Sequence, residues 1–370
     1  MLSADRMSSK KIVGIVATCI VVAVVAIAIS LSGRGPATDK PVTFPDPNLE
    51  AAIREAIGKS TEPIYASDLD GLASLSASGR GIDDLSGLQY CSGLTYLDVK
   101  SNKISNIAPL SNLTNLTDLY LDYNQVSDIS PLSDLINLAD LRLRHNAIGN
   151  ISPLADLTNL TRLSLWDNQI SDISPLSGLT NLTYLHLGSN QISGMSPLAN
   201  LAHLKYLYVG LNQISDVSPL ANLTDLIDLA LGSNEISDIS PLSGLTNLRY
   251  LGLGSNQISD ISALANLNNL SALELASNQI SDISPLANLT RLTELYLSSN
   301  RIDDISPLAN LTNLTDVGLE SNHISDINPL VQNEGLGTSD TVYLYENPLS
   351  SDSINVYLPQ LNAAGVTVNY

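Results

Sequence analysis

Residues 116–137 read LTDLYLDYNQVSDISPLSDLIN, and residues 138–159 read LADLRLRHNAIGNISPLADLTN. The two lines superimpose at a spacing of 22 residues. Leu116, Leu119, Leu121, Asn124, Val126, Ile129, Pro131 and Leu132 return as Leu138, Leu141, Leu143, Asn146, Ile148, Ile151, Pro153 and Leu154. The asparagine carries this register furthest. Asn102, Asn124, Asn146, Asn168, Asn190, Asn212, Asn234, Asn256, Asn278, Asn300 and Asn322 follow one another without a slip, and Asn347 closes the series after the insertion VQNEGLGTSDT (331–341). Counting back 22 from Asn102 reaches Arg80, around which Leu72, Leu75, Ile82, Leu85 and Leu88 keep the apolar frame. There are about thirteen units, so the chain grows by stacking and not by enclosing one large core.

Each unit has the form L-x-x-L-x-L-x-x-N-x-I-S-D-I-S-P-L-x-x-L-T-N. The L-x-L part alternates with period two and predicts a short strand, leucine inward and the intervening side chains outward. An asparagine buried at every turn needs partners, and backbone groups of neighbouring turns can supply them as a structural ladder. In Ser-Pro-Leu, serine is expected as N-cap and proline as the first residue of a brief 3-10 turn. No unit buries its leucines alone, so the units must stack. The predicted fold is a right-handed α/β solenoid, with a parallel sheet on the concave face and short 3-10 turns on the convex face.

The ends of the chain differ from the middle. Residues 1–11 carry Arg6, Lys10 and Lys11 and read as a cytoplasmic tail. Residues 12–33 hold no charge; as a helix they would span roughly 33 Å, about one bilayer core, and so predict a transmembrane signal-anchor that leaves the remainder outside the cell. The competing reading is a cleaved signal peptide, which would make the protein secreted. Residues 34–43 form a Pro/Gly linker. Residues 44–71 predict a helical N-terminal cap, with Asp46 as N-cap, Pro47 at the first position and Leu49, Ile53 and Ile57 on one face. The repeats occupy 72–347. In 348–370, Ser351–Ser353 can start a helix that Gly365 ends before a last strand, closing the solenoid.

L-x-x-L-x-L-x-x-N is the signature of leucine-rich repeats. The 22-residue form, with S-D-I-S-P-L and L-T-N-L, resembles the internalin-type repeats of bacterial surface proteins, and FPDPNLEAAIREAIGK (44–59) is similar to that family's helical cap. The resemblance implies recognition of another protein through the concave face. It is less specific for the ligand, because family members bind different partners. Neither an Ig-like module nor an LPxTG-type sorting signal is read in residues 348–370, so a host-invasion role is not expected to carry over.

Outward strand positions lie six, four and two residues before each ladder asparagine. Most are Asp, Tyr, Gly, Ala or Ser. On four adjacent predicted strands, however, they are Arg142, Arg144, Arg162, Trp166, Tyr184, His186, Tyr206 and Tyr208, which includes the one tryptophan of the chain. At ~4.8 Å per strand this patch is about 15 Å wide, and Trp, Tyr and Arg are the residues that dominate binding hot spots. These eight residues are the candidate binding site. An open face must carry something, and tyrosine suits strands in any case.

Other constellations imitate chemistry. Ser164 and His186 share one outward column, and Asp118 and Asp140 are neighbouring carboxylates, but an open sheet offers no closed pocket for a nucleophile or a glycosidase pair. The aspartate column from Asp128 to Asp326 is read as turn residues that satisfy backbone N–H groups, not as a calcium site. His145, His186, His203 and His323 are not at metal spacing, so neither a catalytic residue, a metal nor a cofactor is expected. The net charge of −20 argues against nucleic acid. The expected function is therefore a membrane-anchored extracellular protein, monomeric and not an enzyme, that binds a protein or a polysaccharide at the cell surface. The alternatives are an envelope scaffold without a dedicated ligand and, remotely, a hydrolase.

Overall fold

The computed structural model describes residues 40–370. The apolar segment 12–33 and the tail before it lie outside these residues. Among those described, no helix is long and apolar enough to cross a membrane.

The L-x-L pattern forms fourteen strands of three residues, all parallel and in chain order. They are β1 (Ser74–Ser76), β2 (Tyr96–Asp98), β3 (Asp118–Tyr120), β4 (Asp140–Arg142), β5 (Arg162–Ser164), β6 (Tyr184–His186) and β7 (Tyr206–Tyr208). There follow β8 (Asp228–Ala230), β9 (Tyr250–Gly252), β10 (Ala272–Glu274), β11 (Glu294–Tyr296), β12 (Asp316–Gly318), β13 (Thr341–Tyr343) and β14 (Thr367–Asn369). Leucine pairs with leucine across the sheet, as in Leu141 with Leu163 and Leu163 with Leu185. All of these are buried, together with the Leu and Ile of each turn, in one continuous core. The outward residues are left in register on the other face.

The asparagines hold successive turns together. Asn146 Nδ2 donates to the carbonyl of Leu143 (3.1 Å) in its own turn and of Leu121 (3.0 Å) in the turn before. Its Oδ1 accepts the Val126 N–H at 2.9 Å. The same set recurs from Asn102 to Asn347. Aiming each amide inward requires a left-handed residue just before it: Ser101, Tyr123, His145, Asp167, Ser189 and Leu211 have φ between 50° and 58°. Side chains with a Cβ pay for this conformation, asparagine least among them. Leu211 is 56 % exposed, so its side chain gains little from packing. Leu211→Asn is therefore expected to raise stability by about 0.5 kcal/mol, read as a higher denaturant midpoint; an unchanged midpoint would show the strain to be absorbed elsewhere.

The convex turns correct one expectation. Ser130 is the first residue of its 3-10 turn and Pro131 the second, with Ile129 at the cap position. The capping acceptor is Asp128, whose Oδ1 takes the Ser130 N–H at 2.8 Å. A carboxylate two residues upstream reaches that N–H, while the cap residue itself must point its side chain into the core. Asp172, Asp216, Asp238, Asp260, Asp282 and Asp304 repeat the bond, and Asn150 replaces it at Ser152 (2.9 Å). The Gly-Asn deviation at 149–150 thus leaves the cap intact.

At the N-terminal end, α1 (Pro47–Ile57) buries Leu49, Ala52 and Ile53 against the first repeat. Asp46 Oδ1 accepts the Asn48 and Leu49 N–H groups, and its Oδ2 accepts Asp83 N–H at 2.8 Å, tying the cap to the solenoid. Burial opposes ionisation of Asp46, but the N–H groups of Asp83, Leu49, Asp84 and Asn48 hold it below the ordinary carboxylate range. The short α2 (Ala66–Leu69) completes the cap. Val42, assigned to the linker from its sequence, belongs to the cap instead: its N–H donates to Ile64 O at 2.7 Å and its side chain is buried. At the other end the insertion replaces a 3-10 turn by α3 (Asn328–Gln332), and α4 (Leu358–Ala364) stops at left-handed Gly365 before β14.

Candidate functional site

On β4 to β7, residues two apart face the same side of the sheet. Arg142, Arg162, Tyr184, His186, Tyr206 and Tyr208 come from the strands themselves, and Arg144 and Trp166 continue the alternation just beyond β4 and β5. The structure brings their side chains into one chain of rings. His145 meets the edge of Trp166 with centroids 4.3 Å apart, and Trp166 faces His186 at 6.1 Å. His186 meets Tyr208 edge-on at 5.3 Å; Tyr208 leads to Tyr184 at 5.7 Å, and Tyr184 to Tyr206 at 6.3 Å. Each such pair adds about 0.5–1.5 kcal/mol beyond burial and restricts ring motion.

The arginines are not free cations. Arg142 donates through Nε and Nη2 to Asp140 at 3.1 and 2.8 Å and lies over the Tyr120 ring at 4.2 Å. Arg162 lies over Tyr184 at 4.4 Å with Nε 3.5 Å from Asp140. Arg144 reaches buried Asp122 through its backbone N–H at 2.8 Å and through Nε at 3.3 Å. The bonds to Asp140 push the Arg142 guanidinium further up. Burial, with Asp140 nearby, raises Tyr120 to about 12. Burial and Asp228, 3.3 Å from the hydroxyl, do the same for Tyr208.

Sequence reading missed several members of this group. Tyr123 stacks on His145 at 4.2 Å and extends the ring chain to the rim. Tyr120 forms the platform under Arg142, and Asp122 and Asp140 lie beneath the guanidiniums. A signal for the rim pair existed. The position before the ladder asparagine is Ser in most units but Tyr123, His145, Asp167 and Leu211 here.

Ser164 and His186 are opposite one another in β5 and β6, yet Ser164 Oγ and His186 Nδ1 are both buried and make no hydrogen bond. They are not arranged as a nucleophile with its base. Asp118 accepts the Thr117 hydroxyl at 2.7 Å, and Asp140 is taken by arginines, so the two carboxylates do not act as a pair.

His186 is pulled down to about 4, first by burial and then by the positive charge of Arg144. It is therefore a neutral ring at physiological pH. The folded value lies below the ordinary ~6.5, so its contribution to stability is complete above pH 6.5 and falls as the pH drops towards 4. Between pH 7 and 4.5 the loss is on the order of 2 kcal/mol. His186→Gln is expected to flatten that part of a plot of denaturant midpoint against pH; an identical slope in the variant would place the proton elsewhere.

Beside the arginines, Trp166, Tyr184, His186 and Tyr208 surround a concavity of about 340 Å³ floored by Gly188 and Gly210. A Cβ on Gly188 would approach Trp166 Cδ1 to 3.0 Å and Gly210 O to 3.1 Å, so the floor accepts no side chain without displacing its walls. The arrangement suits contact with an apolar or aromatic group flanked by fixed charge pairs.

Comparison with known proteins agrees with the fold. The family model described as "Leucine Rich repeats (2 copies)" matches residues 92–134, 114–156, 136–178, 158–200, 246–288 and 290–332, and "Leucine rich repeat" matches 202–258. Among solved structures, an internalin (inlF) from Listeria monocytogenes is 37 % identical, covering 91 % of this chain and 99 % of that one, with a TM-score of 0.85. An internalin C2 (inlC2) from the same species is 44 % identical over 60 % of this chain and 100 % of that one, with a TM-score of 0.57. Internalin H of Listeria monocytogenes serovar 1/2a is 45 % identical over 60 residues, which is 16 % of this chain; the match spans 11 % of that protein's length.

Proposed function

The chain belongs to the internalin-type leucine-rich-repeat family, and from that premise we propose that it is an exported recognition protein whose concave face captures a protein partner. The observation that carries this reading is the concentration of Arg142, Arg144, Arg162, Trp166, Tyr184, His186, Tyr206 and Tyr208 on four adjacent strands, already ordered by ring contacts and ion pairs. Ordering these groups before binding reduces the entropy lost on docking. The partner contacts an electrically mixed surface: Asp122 and Asp140 offset much of the arginine charge, so specificity comes from shape and from individual charge pairs. Residues 12–33, uncharged and preceded by basic residues, would hold this module at the outer surface of the cell as a single-pass anchor.

The test is capture of biotinylated cell-surface proteins by the full chain and by a variant carrying Arg142→Ala, Arg162→Ala and Trp166→Ala. The variant is expected to retain its melting temperature within a few degrees and to lose a specific captured band. Equal capture by both proteins would overturn the site assignment.

A further inference from the structure

Between β4 and β6, next to the aromatic concavity, lies a smaller cavity of about 70 Å³ lined by Asp140, Arg142, Arg144, Arg162, Ser164 and Tyr184. The geometry points to a subsite for a single carboxylate, the acidic side chain of a polypeptide docked on the concave face. This rests on the recognition reading above and adds the chemistry of the group recognised.

Three observations carry it. The first is the hydroxyl of Ser164. The residue is 5 % exposed and lines the cavity, yet its Oγ has no hydrogen-bond partner. Buried hydroxyls in folded proteins ordinarily have one, and an anion seated here would supply it.

The second is the set of unused donors. Arg142 spends Nε and Nη2 on Asp140. Arg144 and Arg162 meet carboxylates through Nε alone, at 3.3 and 3.5 Å. Their Nη groups form no hydrogen bond among the described residues, although both side chains line the cavity. A carboxylate takes two parallel N–H groups of one guanidinium fork, which is the strong geometry for this pair of groups.

The third is charge. Arg142, Arg144 and Arg162 are opposed by Asp140 and by Asp122 under Arg144, a balance of 3 − 2 = +1. A carboxylate neutralises this. A phosphate dianion would leave net negative charge against Asp140 in a half-buried site, where unpaired charge is costly. The tetrahedral dianion is therefore the poorer fit.

The position of the subsite also limits what can follow the acidic residue. Tyr184 borders both cavities. An apolar side chain next to the acidic one would reach the concavity of Trp166 and Tyr208, about one strand spacing away. Trp166, the one tryptophan of the chain, would then report occupancy through its emission.

The test titrates the full chain, at constant ionic strength, with sodium acetate, sodium phosphate and two blocked dipeptides, acetyl-Asp-Leu-amide and acetyl-Asn-Leu-amide. Arginine Nε–Hε resonances and Trp166 fluorescence are followed. Acetate is expected to shift the Arg144 and Arg162 signals saturably. The Asp-Leu dipeptide is expected to bind at least tenfold more tightly than the Asn-Leu one and to change Trp166 emission. Ser164→Ala should weaken the Asp-Leu response several-fold and Arg162→Gln should abolish it, whereas Arg249→Gln should leave it unchanged. Equal binding of the two dipeptides, a full response in Arg162→Gln, or tighter binding of phosphate than of acetate would each overturn the carboxylate assignment. The titration uses no partner protein. An absent acetate response alongside lost capture by the triple variant would remove the subsite and leave the recognition reading in place; a saturable response with unchanged capture would do the reverse.

Discussion

Replacing Trp166 by alanine is expected to weaken partner capture about thirtyfold or more while leaving the solenoid folded. The magnitude follows from the site of the ring. Trp166 stands inside the ring chain, between His145 and His186, half-buried on the concave face and outside the leucine core. Central aromatic residues of interfaces cost about 2 kcal/mol or more when truncated, which is a factor of about 30. The stability cost is about 1–3 kcal/mol, from two edge or offset ring contacts, and leaves the leucine core and the neighbouring rings in place. Binding isotherms of the two proteins for the captured partner, beside their thermal melts, would separate these effects. Affinity within twofold of the parent would exclude Trp166 from the interface.

Asn234→Ala is expected to destabilise the solenoid by roughly 3–5 kcal/mol. Asn234 is buried; its Nδ2 donates to Leu231 O at 2.9 Å and Val209 O at 3.2 Å, and its Oδ1 accepts Ile214 N–H at 2.9 Å. Alanine leaves three backbone groups facing one another where water does not reach, each at a cost of about 1–3 kcal/mol with some relief from relaxation. Stability in stacked repeats is close to a sum of nearest-neighbour terms, so the damage falls on the turns around Ile214 and Leu231. Hydrogen exchange should report lost protection there first, and urea unfolding the change in midpoint. Asn247 provides the comparison: it also donates to a carbonyl, Thr224 O at 2.8 Å, but it is exposed. Asn247→Ala is expected to cost under about 1 kcal/mol, since water replaces the bond. Equal effects at the two positions would show that the ladder does not act through burial.

The fold could be read from the chain because it is repeated. One unit such as 116–137 leaves strand and turn ambiguous, but a spacing of 22 held from Asn102 to Asn322 admits only side chains that stack on their own copies. What escaped sequence reading was local. Ser130 was expected as a cap because Ser-Pro commonly starts a helical turn, but Ile129 must enter the core, which moves the capping role to Asp128. Val42 reads as linker because 34–43 is rich in Pro and Gly, whereas its bond to Ile64 depends on a residue 22 positions further on.

The candidate site divides in the same way. Strand alternation sufficed to name Arg142, Arg162, Trp166, Tyr184, His186 and Tyr208 as neighbours on one face. Alternation assigns a face, not a partner. Tyr123 and His145 join the rings because a left-handed residue tilts the rim of each turn towards its neighbour, a geometry that period two does not encode. Asp122 and Asp140 are merely two more outward strand positions in the sequence, but stacking sinks them beneath the guanidiniums, so that the arginines are held, nearly neutralised groups. Repetition in the sequence by itself determined the solenoid, its ladder and which side chains share the concave face, because each unit can bury its leucines only against another. Only the tertiary structure decided the charge and rigidity of that face, because these depend on distances between side chains one whole turn apart.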